Sequence, residues 1–210
     1  MTKKGLWISV TGLDGSGKTT LVDNLQKWLS EKEKTVYRSR LPHDEYLVKT
    51  LLNESKDKYT DRLLFALDNR IFGTKLSAIR DDYDFILTQR CFLDSFVHGA
   101  VQGFSYDWIE ELNNTSELPR TDILIHLVAE ASVAYQRICN DPDADKFEYP
   151  EYIGVQERET RRAYSNVLKG GDPALDSFKK CKNIYIDTTQ MTTDEVFEVA
   201  TKKLSAILNI

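Results

Sequence analysis

Apolar residues along this chain come in two alternating rhythms. Short continuous runs, Leu6-Trp7-Ile8-Ser9-Val10, Thr35-Val36-Tyr37-Arg38-Ser39, Asp84-Phe85-Ile86-Leu87-Thr88, Ile123-Leu124-Ile125-His126-Leu127-Val128 and Asn183-Ile184-Tyr185-Ile186, read as five strands. Between them apolar residues recur at helical spacing. Leu21, Leu25, Trp28 and Leu29 follow the first strand, and positions 64, 67, 71, 72 and 76 mark a helix over residues 63–76. Two helical stretches follow the third strand, the second around Trp108, Ile109 and Leu112, and residues 132–140 follow the fourth. Residues 156–168 are helical again, with Arg158, Arg161 and Arg162. Thr192 or Thr193 caps a last helix with Val196, Val199, Ala200 and Leu204 on its buried face. Strands alternating with helices predict an α/β fold, a doubly wound parallel sheet with ligands at the carboxyl ends of its strands.

The rhythm fails over residues 141–154, where Asp, Pro, Lys and Tyr dominate. No repeat, linker or low-complexity stretch divides the 210 residues, so one domain is expected. A net charge of -5 argues against a nucleic-acid or membrane-surface partner. Cys91, Cys139 and Cys181 are far apart, odd in number and without metal-ligand spacing, which suits reduced thiols in a cytoplasmic protein. No apolar run approaches a membrane span, and Met1-Thr2-Lys3-Lys4 leads directly into the first strand rather than into a signal peptide.

The most informative stretch lies where the first strand meets the first helix. Gly12-Leu13-Asp14-Gly15-Ser16-Gly17-Lys18-Thr19 is a complete G-x-x-x-x-G-K-[ST] phosphate-binding loop, in the strand–loop–helix context the motif requires. Gly12, Gly15 and Gly17 let backbone N–H groups close on phosphate oxygens, and Lys18 supplies charge for the outer phosphates. The Thr19 hydroxyl is placed to ligate Mg²⁺, and the helix N-terminus adds its own donors. ATP with Mg²⁺ is the implied cofactor. Arg40 and Arg90 follow the second and third strands and Arg70 lies on the helix between, a set suited to a second phosphate carried by the acceptor.

Several segments together resemble the thymidylate kinases nearly end to end. The loop Gly12 to Thr20 resembles that family's, including an Asp, here Asp14, that approaches the sugar 3′-hydroxyl. Arg40-Leu41-Pro42 resembles its Arg-x-Pro turn, whose arginine holds the acceptor phosphate. Leu63-Leu64-Phe65-Ala66-Leu67-Asp68-Asn69-Arg70 resembles the helix on which a Phe stacks on thymine and an Arg contacts the nucleotide. Trp108-Ile109-x-x-Leu112-Asn113 resembles a stretch before the fourth strand, and Arg158-x-x-x-Arg162-Ala163-Tyr164 the helix after the lid. The resemblance implies ATP-dependent transfer to a nucleoside monophosphate, most simply dTMP to dTDP, by a homodimer. It makes residues 141–155 a lid with Lys146 as its cation and Arg158 as a candidate behind it. No stripe of residues in the chain demonstrates the dimer.

Departures gather at the acceptor side. The family's Asp-Arg-(Tyr/His) is Gln89-Arg90-Cys91 here, and a neutral amide cannot supply the charge that orients a Mg²⁺-bound water. Slower catalysis is expected unless another carboxylate substitutes. The family's Ser-x-x-Ala-Tyr-Gln stretch holds Ser95, Val97, His98 and Gly99, which makes Ser95 and His98 candidate acceptor contacts. The helix arginine sits one place late, with Asn69 at the expected position. A nucleoside or small-metabolite kinase, or a nucleotide-binding sensor with little turnover, are the alternatives. A switch GTPase is disfavoured because no Asn-Lys-x-Asp motif is present.

Overall fold

The computed structural model describes residues 5–140 and 149–210. Five strands, β1 (Leu6–Gly12), β2 (Val36–Arg40), β3 (Phe85–Gln89), β4 (Ile123–Val128) and β5 (Lys182–Asp187), form one parallel sheet in the order β2-β3-β1-β4-β5. Eight helices accompany them among the described residues: α1 (Lys18–Glu31), α2 (Glu45–Glu54), α3 (Lys58–Ile79), α4 (Leu93–Val101), α5 (Tyr106–Asn113), α6 (Ala131–Ile138), α7 (Pro150–Lys169) and α8 (Thr193–Leu208).

The continuous apolar runs have a simple cause. Successive side chains of a strand point to opposite faces, and here both faces are covered. Trp7, Ile86 and Leu124 enter a core shared with Phe72 and Leu76 of α3, Leu93 and Phe96 of α4 and Val167 of α7. Ile8, Leu87 and Ile125, one residue on in each strand, pack with Leu21 and Leu25 of α1 and Ala200 and Leu204 of α8. Thr192 caps α8 in a reciprocal capping box with Glu195.

The elements differ from the sequence reading in three places. The helix expected over residues 63–76 is α3 and runs from Lys58, where Asp57 caps it by accepting from the Thr60 N–H. Leu67 and Ile71, expected on its apolar face, are exposed, while Asp61, Arg62, Asp68 and Asn69 are buried. The aperiodic stretch 141–154 ends early, because Pro150 opens α7 at a position where its missing N–H costs nothing. Residues 141–148, which contain Lys146, lie outside the described residues. The short α2 had no counterpart in the apolar pattern.

Candidate active site

β1 ends at Gly12, and the chain turns through five residues before α1 begins at Lys18. Close packing fixes the loop's path. A Cβ on Gly12 would lie 1.8 Å from the Leu127 carbonyl oxygen, and one on Gly15 would lie 2.2 Å from that of Ala134. Both positions also have positive φ, so only glycine lets the loop lie this close to β4 and α6. Gly17 caps α1 without a side-chain bond, and the first turn carries no acid, so the first helical N–H groups face an open anion site. Thr19 and Thr20 are exposed beside it, and Ser16 is buried.

Asp14 is the hub of the site. Its Oδ1 accepts from Lys18 Nζ at 2.8 Å and from Arg90 Nη2, and its Oδ2 accepts from Gln156 Nε2 at 3.0 Å. Lys18 Nζ also donates to the carbonyls of Gly12 at 3.0 Å and Leu13 at 2.8 Å. Burial alone would raise the Asp14 carboxyl, but the charges of Arg90 and Lys18 hold it well below the usual carboxylate range. Burial pulls Lys18 below its ordinary value against the opposing pull of Asp14. One carboxylate between two cations leaves a positive excess in a buried place, which suits an incoming phosphate.

Arg90 owes its direction to its backbone. The residue has φ 68°, a left-handed conformation that costs a non-glycine residue about 1–3 kcal/mol. Its N–H donates to Val10 O at 2.7 Å and its carbonyl accepts from Thr88 Oγ1 at 2.9 Å, which holds it there. Beside it Asp94, at the start of α4, accepts from Thr11 Oγ1 at 2.6 Å and from the Cys91 N–H at 2.9 Å. Burial raises the Asp94 carboxyl, offset in part by Arg90. Asp94 joins Asp14 as a buried carboxylate close to Arg90, the residue that follows Gln89.

A cleft of about 800 Å³ runs from the phosphate loop to Arg40, Gln89, Phe65 and His98. At the loop end Arg137 of α6 donates to Gly15 O at 3.3 Å and to Thr188 O at 2.9 Å. At the far end His98 Nδ1 lies 2.9 Å from the Tyr152 hydroxyl, and His98 Nε2 lies 3.5 Å from Gln156. Burial, reinforced by Arg90, pushes His98 down to about 3, so its ring is neutral at physiological pH.

Of the residues predicted from sequence, the structure gathers Asp14, Gly15, Ser16, Gly17, Lys18, Thr19, Thr20, Arg40, Phe65, Arg90 and His98 around this cleft. Ser95 lies in an alcove beside it, accepting from Asn69 Nδ2 at 2.9 Å. Arg70 is placed elsewhere: its Nη2 donates to the Asn113 carbonyl at 2.8 Å and ties α3 to the end of α5. Arg158 lies exposed on α7. Sequence reasoning missed Arg62, Asp94, Arg137, Tyr152 and Gln156. For Gln156 and Arg62 a signal existed, since each is a polar residue in phase with the buried face of its helix.

Magnesium fits this donor set in one particular way. Among the described residues no group of three His, Cys, Asp or Glu side chains could cage a metal ion. Mg²⁺ usually takes one or two protein ligands and otherwise keeps water and substrate phosphates. The exposed Thr19 hydroxyl at the start of α1 suits that mode.

The thymidylate kinase family model matches residues 10–172. The probable thymidylate kinase 1 of Saccharolobus solfataricus is 32% identical over 197 residues, 93% of this chain and 94% of that protein. The thymidylate kinase of Caldicellulosiruptor saccharolyticus is 29% identical and covers 98% of each. A solved thymidylate kinase from Candida albicans superposes with a TM-score of 0.71 at 18% identity, over 97% of this chain and 92% of that one, a likeness of fold.

Proposed function

The chain belongs to the thymidylate kinase family of nucleoside monophosphate kinases, and we propose that it transfers the γ-phosphoryl group of ATP to dTMP, forming dTDP. The observation that carries this reading is the Asp14 hub. One buried carboxylate ties the loop lysine to Arg90, and Arg90 lines the same cleft as Phe65 and His98.

Lys18 and the N–H groups of the loop hold the β- and γ-phosphates of ATP, and Arg90 with Arg40 holds the acceptor's phosphate. The acceptor oxygen forms a bond to the γ-phosphorus as the bond from that phosphorus to the β-bridging oxygen breaks. Such a transfer needs in-line positioning and neutralised charge rather than covalent chemistry by the protein. Arrival of the two phosphates gives Lys18 and Arg90 new partners and releases Asp14 toward the sugar 3′-hydroxyl. Thr19 would hold Mg²⁺, which supplies charge neutralisation at the bridging phosphates. Lys146 would add a cation from the lid. The charge and free thiols of the chain favour a cytoplasmic enzyme without nucleic-acid or membrane partners. No helix among the described residues is long and apolar enough to cross a membrane. Tyr59, Leu63, Leu67 and Ile71, exposed along one line of α3, favour a homodimer.

The test is ADP release with ATP, Mg²⁺ and a panel of deoxynucleoside monophosphates and nucleosides. Turnover with dTMP is expected, falling about 10²–10³-fold or more in Lys18→Ala, with the fold retained by circular dichroism at assay temperature. Undiminished turnover in that variant would overturn the assignment. One observation favours a second reading: Gln89 stands at the cleft without a carboxylate's charge. ATP binding without turnover of any acceptor would establish a sensor instead.

A further inference from the structure

Asp94 is a buried carboxylate that no step of the transfer so far uses. It lies in the first turn of α4 and is 7% exposed. Phe92, at the cap of α4, offers no side-chain bond, and Asp94 turns back over the start of the helix. Its N–H donates to the Cys91 carbonyl at 3.0 Å, and its Oδ2 accepts from the Cys91 N–H at 2.9 Å. The residue after Arg90 is thereby held at both of its polar backbone groups. The same Oδ2 accepts from Thr11 Oγ1 at 2.6 Å, and Thr11 precedes Gly12 of the phosphate loop. One carboxylate oxygen joins the start of the loop to the strained turn that aims Arg90. Burying a charge is costly unless a group of opposite sign stands near it.

That group is Arg90. Burial raises the Asp94 carboxyl, and the Arg90 charge opposes the shift. Both residues wall the alcove beside the cleft, and Arg90 lines the cleft as well. Arg90 Nη2 is engaged with Asp14 Oδ1, an oxygen it shares with Lys18. When phosphates draw Lys18 and Arg90 away from Asp14, Asp94 stays, because its own bonds run to Thr11 and Cys91. A charge anchored in this way keeps a guanidinium directed without reorganising. Gln89 stands close to the same arginines. It pairs in register with Arg40 of β2 and Val10 of β1, and it lines the cleft with Arg40 and Arg90. Its neutral amide brings them no charge.

We infer that Asp94 is a positioning residue for the transfer, supplying from α4 the negative charge that position 89 lacks and so keeping Arg90 directed at the acceptor's phosphate. The inference rests on the monophosphate kinase reading and assigns it one more working residue. Asp94 acts through Arg90 and does not touch the acceptor itself. A carboxylate at position 89 would stand beside the same arginine, so the two positions are alternatives for one charge.

The experiment measures kcat and the KM values for dTMP and ATP in the wild type, Asp94→Asn, Gln89→Asp and the double variant. Asparagine keeps an oxygen for the Thr11 and Cys91 bonds and removes the charge alone, which separates the charge from the local structure. Asp94→Asn should lower kcat/KM for dTMP by about 10²-fold, the scale of a misdirected catalytic contact, with KM for ATP unmoved. Adding Gln89→Asp should recover about tenfold of that loss, a rescue that a purely structural role for Asp94 would not give. In the wild-type background Gln89→Asp should bring no rise in kcat. A folded Asp94→Asn with wild-type kcat/KM overturns the inference, and so does a double variant no faster than Asp94→Asn. If Asp94→Asn does not fold, Gln89→Asp alone decides, since a several-fold rise in its kcat would mean that the charge was still missing. A wild type that phosphorylates no monophosphate overturns the kinase reading itself, which separates the two failures.

Discussion

Two buried histidines set how the folded state responds to acid. His98 sits against Tyr152, and His126 of β4 stacks 4.6 Å from Tyr164. Burial pushes each down to about 3. The same side chain titrates near about 6.5 when unfolded. Between those values the unfolded chain takes protons that the folded one refuses, so stability is full above about pH 6.5 and falls as pH drops. Each histidine then costs up to about 1.4 kcal/mol per pH unit, or roughly 4 kcal/mol for the pair between pH 7 and 5. The Asp14 carboxylate adds nothing in that window, because its folded value is depressed and its contribution is lost only at lower pH. Urea midpoints at pH 7 and pH 5 measure the loss. His126→Phe keeps the ring stack and removes one titrating group, and should roughly halve it. An unchanged pH dependence in that variant would place the loss elsewhere.

At the scale of elements, what could be read from sequence followed from burial on both faces. The central strands β1, β3 and β4 were found because both of their faces are buried, the edge strands β2 and β5 from shorter apolar runs, and the loop because its chemistry fixes residue types at fixed spacing. Helix α3 misled the apolar count. Its inner face points toward the site and buries Asp61, Arg62, Asp68 and Asn69, so hydropathy assigned Leu67 and Ile71 inward. The start of α7 was legible but unread: Tyr149-Pro150-Glu151 places proline and an acid in a first turn. The Asp14–Gln156 bond was not legible at all, since it joins residues 142 apart in sequence. The loop itself yields a contrast between two glycines. Gly15→Ala meets both φ 79° and the Ala134 carbonyl, and should cost about 2–4 kcal/mol in denaturant unfolding. Gly17→Ala meets φ 94° with nothing within 4 Å, and should cost about 1–2 kcal/mol. Equal losses would mean that conformation alone, not the close approach to α6, constrains the loop.

At the scale of the whole molecule, α3 turns four large apolar side chains outward. Tyr59, Leu63, Leu67 and Ile71 are 52%, 56%, 49% and 38% exposed and recur every four residues along one line of the helix. Isolated exposed apolar residues are ordinary, but four in register on the outer face of a site-bearing helix form a surface that a second copy can cover. Two copies paired by a twofold axis would each present the same stripe. Phe65 stands on the same helix, so pairing would also stiffen an element that walls the cleft. Leu67→Asp puts a charge in the middle of the stripe, where burying it against the partner costs several kcal/mol. In analytical ultracentrifugation the wild type should sediment at twice the 24.2 kDa chain mass and the variant at the chain mass itself. The dTMP KM should rise in the variant while the ATP KM stays, because α3 borders the acceptor end alone. A wild type that sediments as a monomer at assay concentration would remove the dimer, and with it this reason for the stripe.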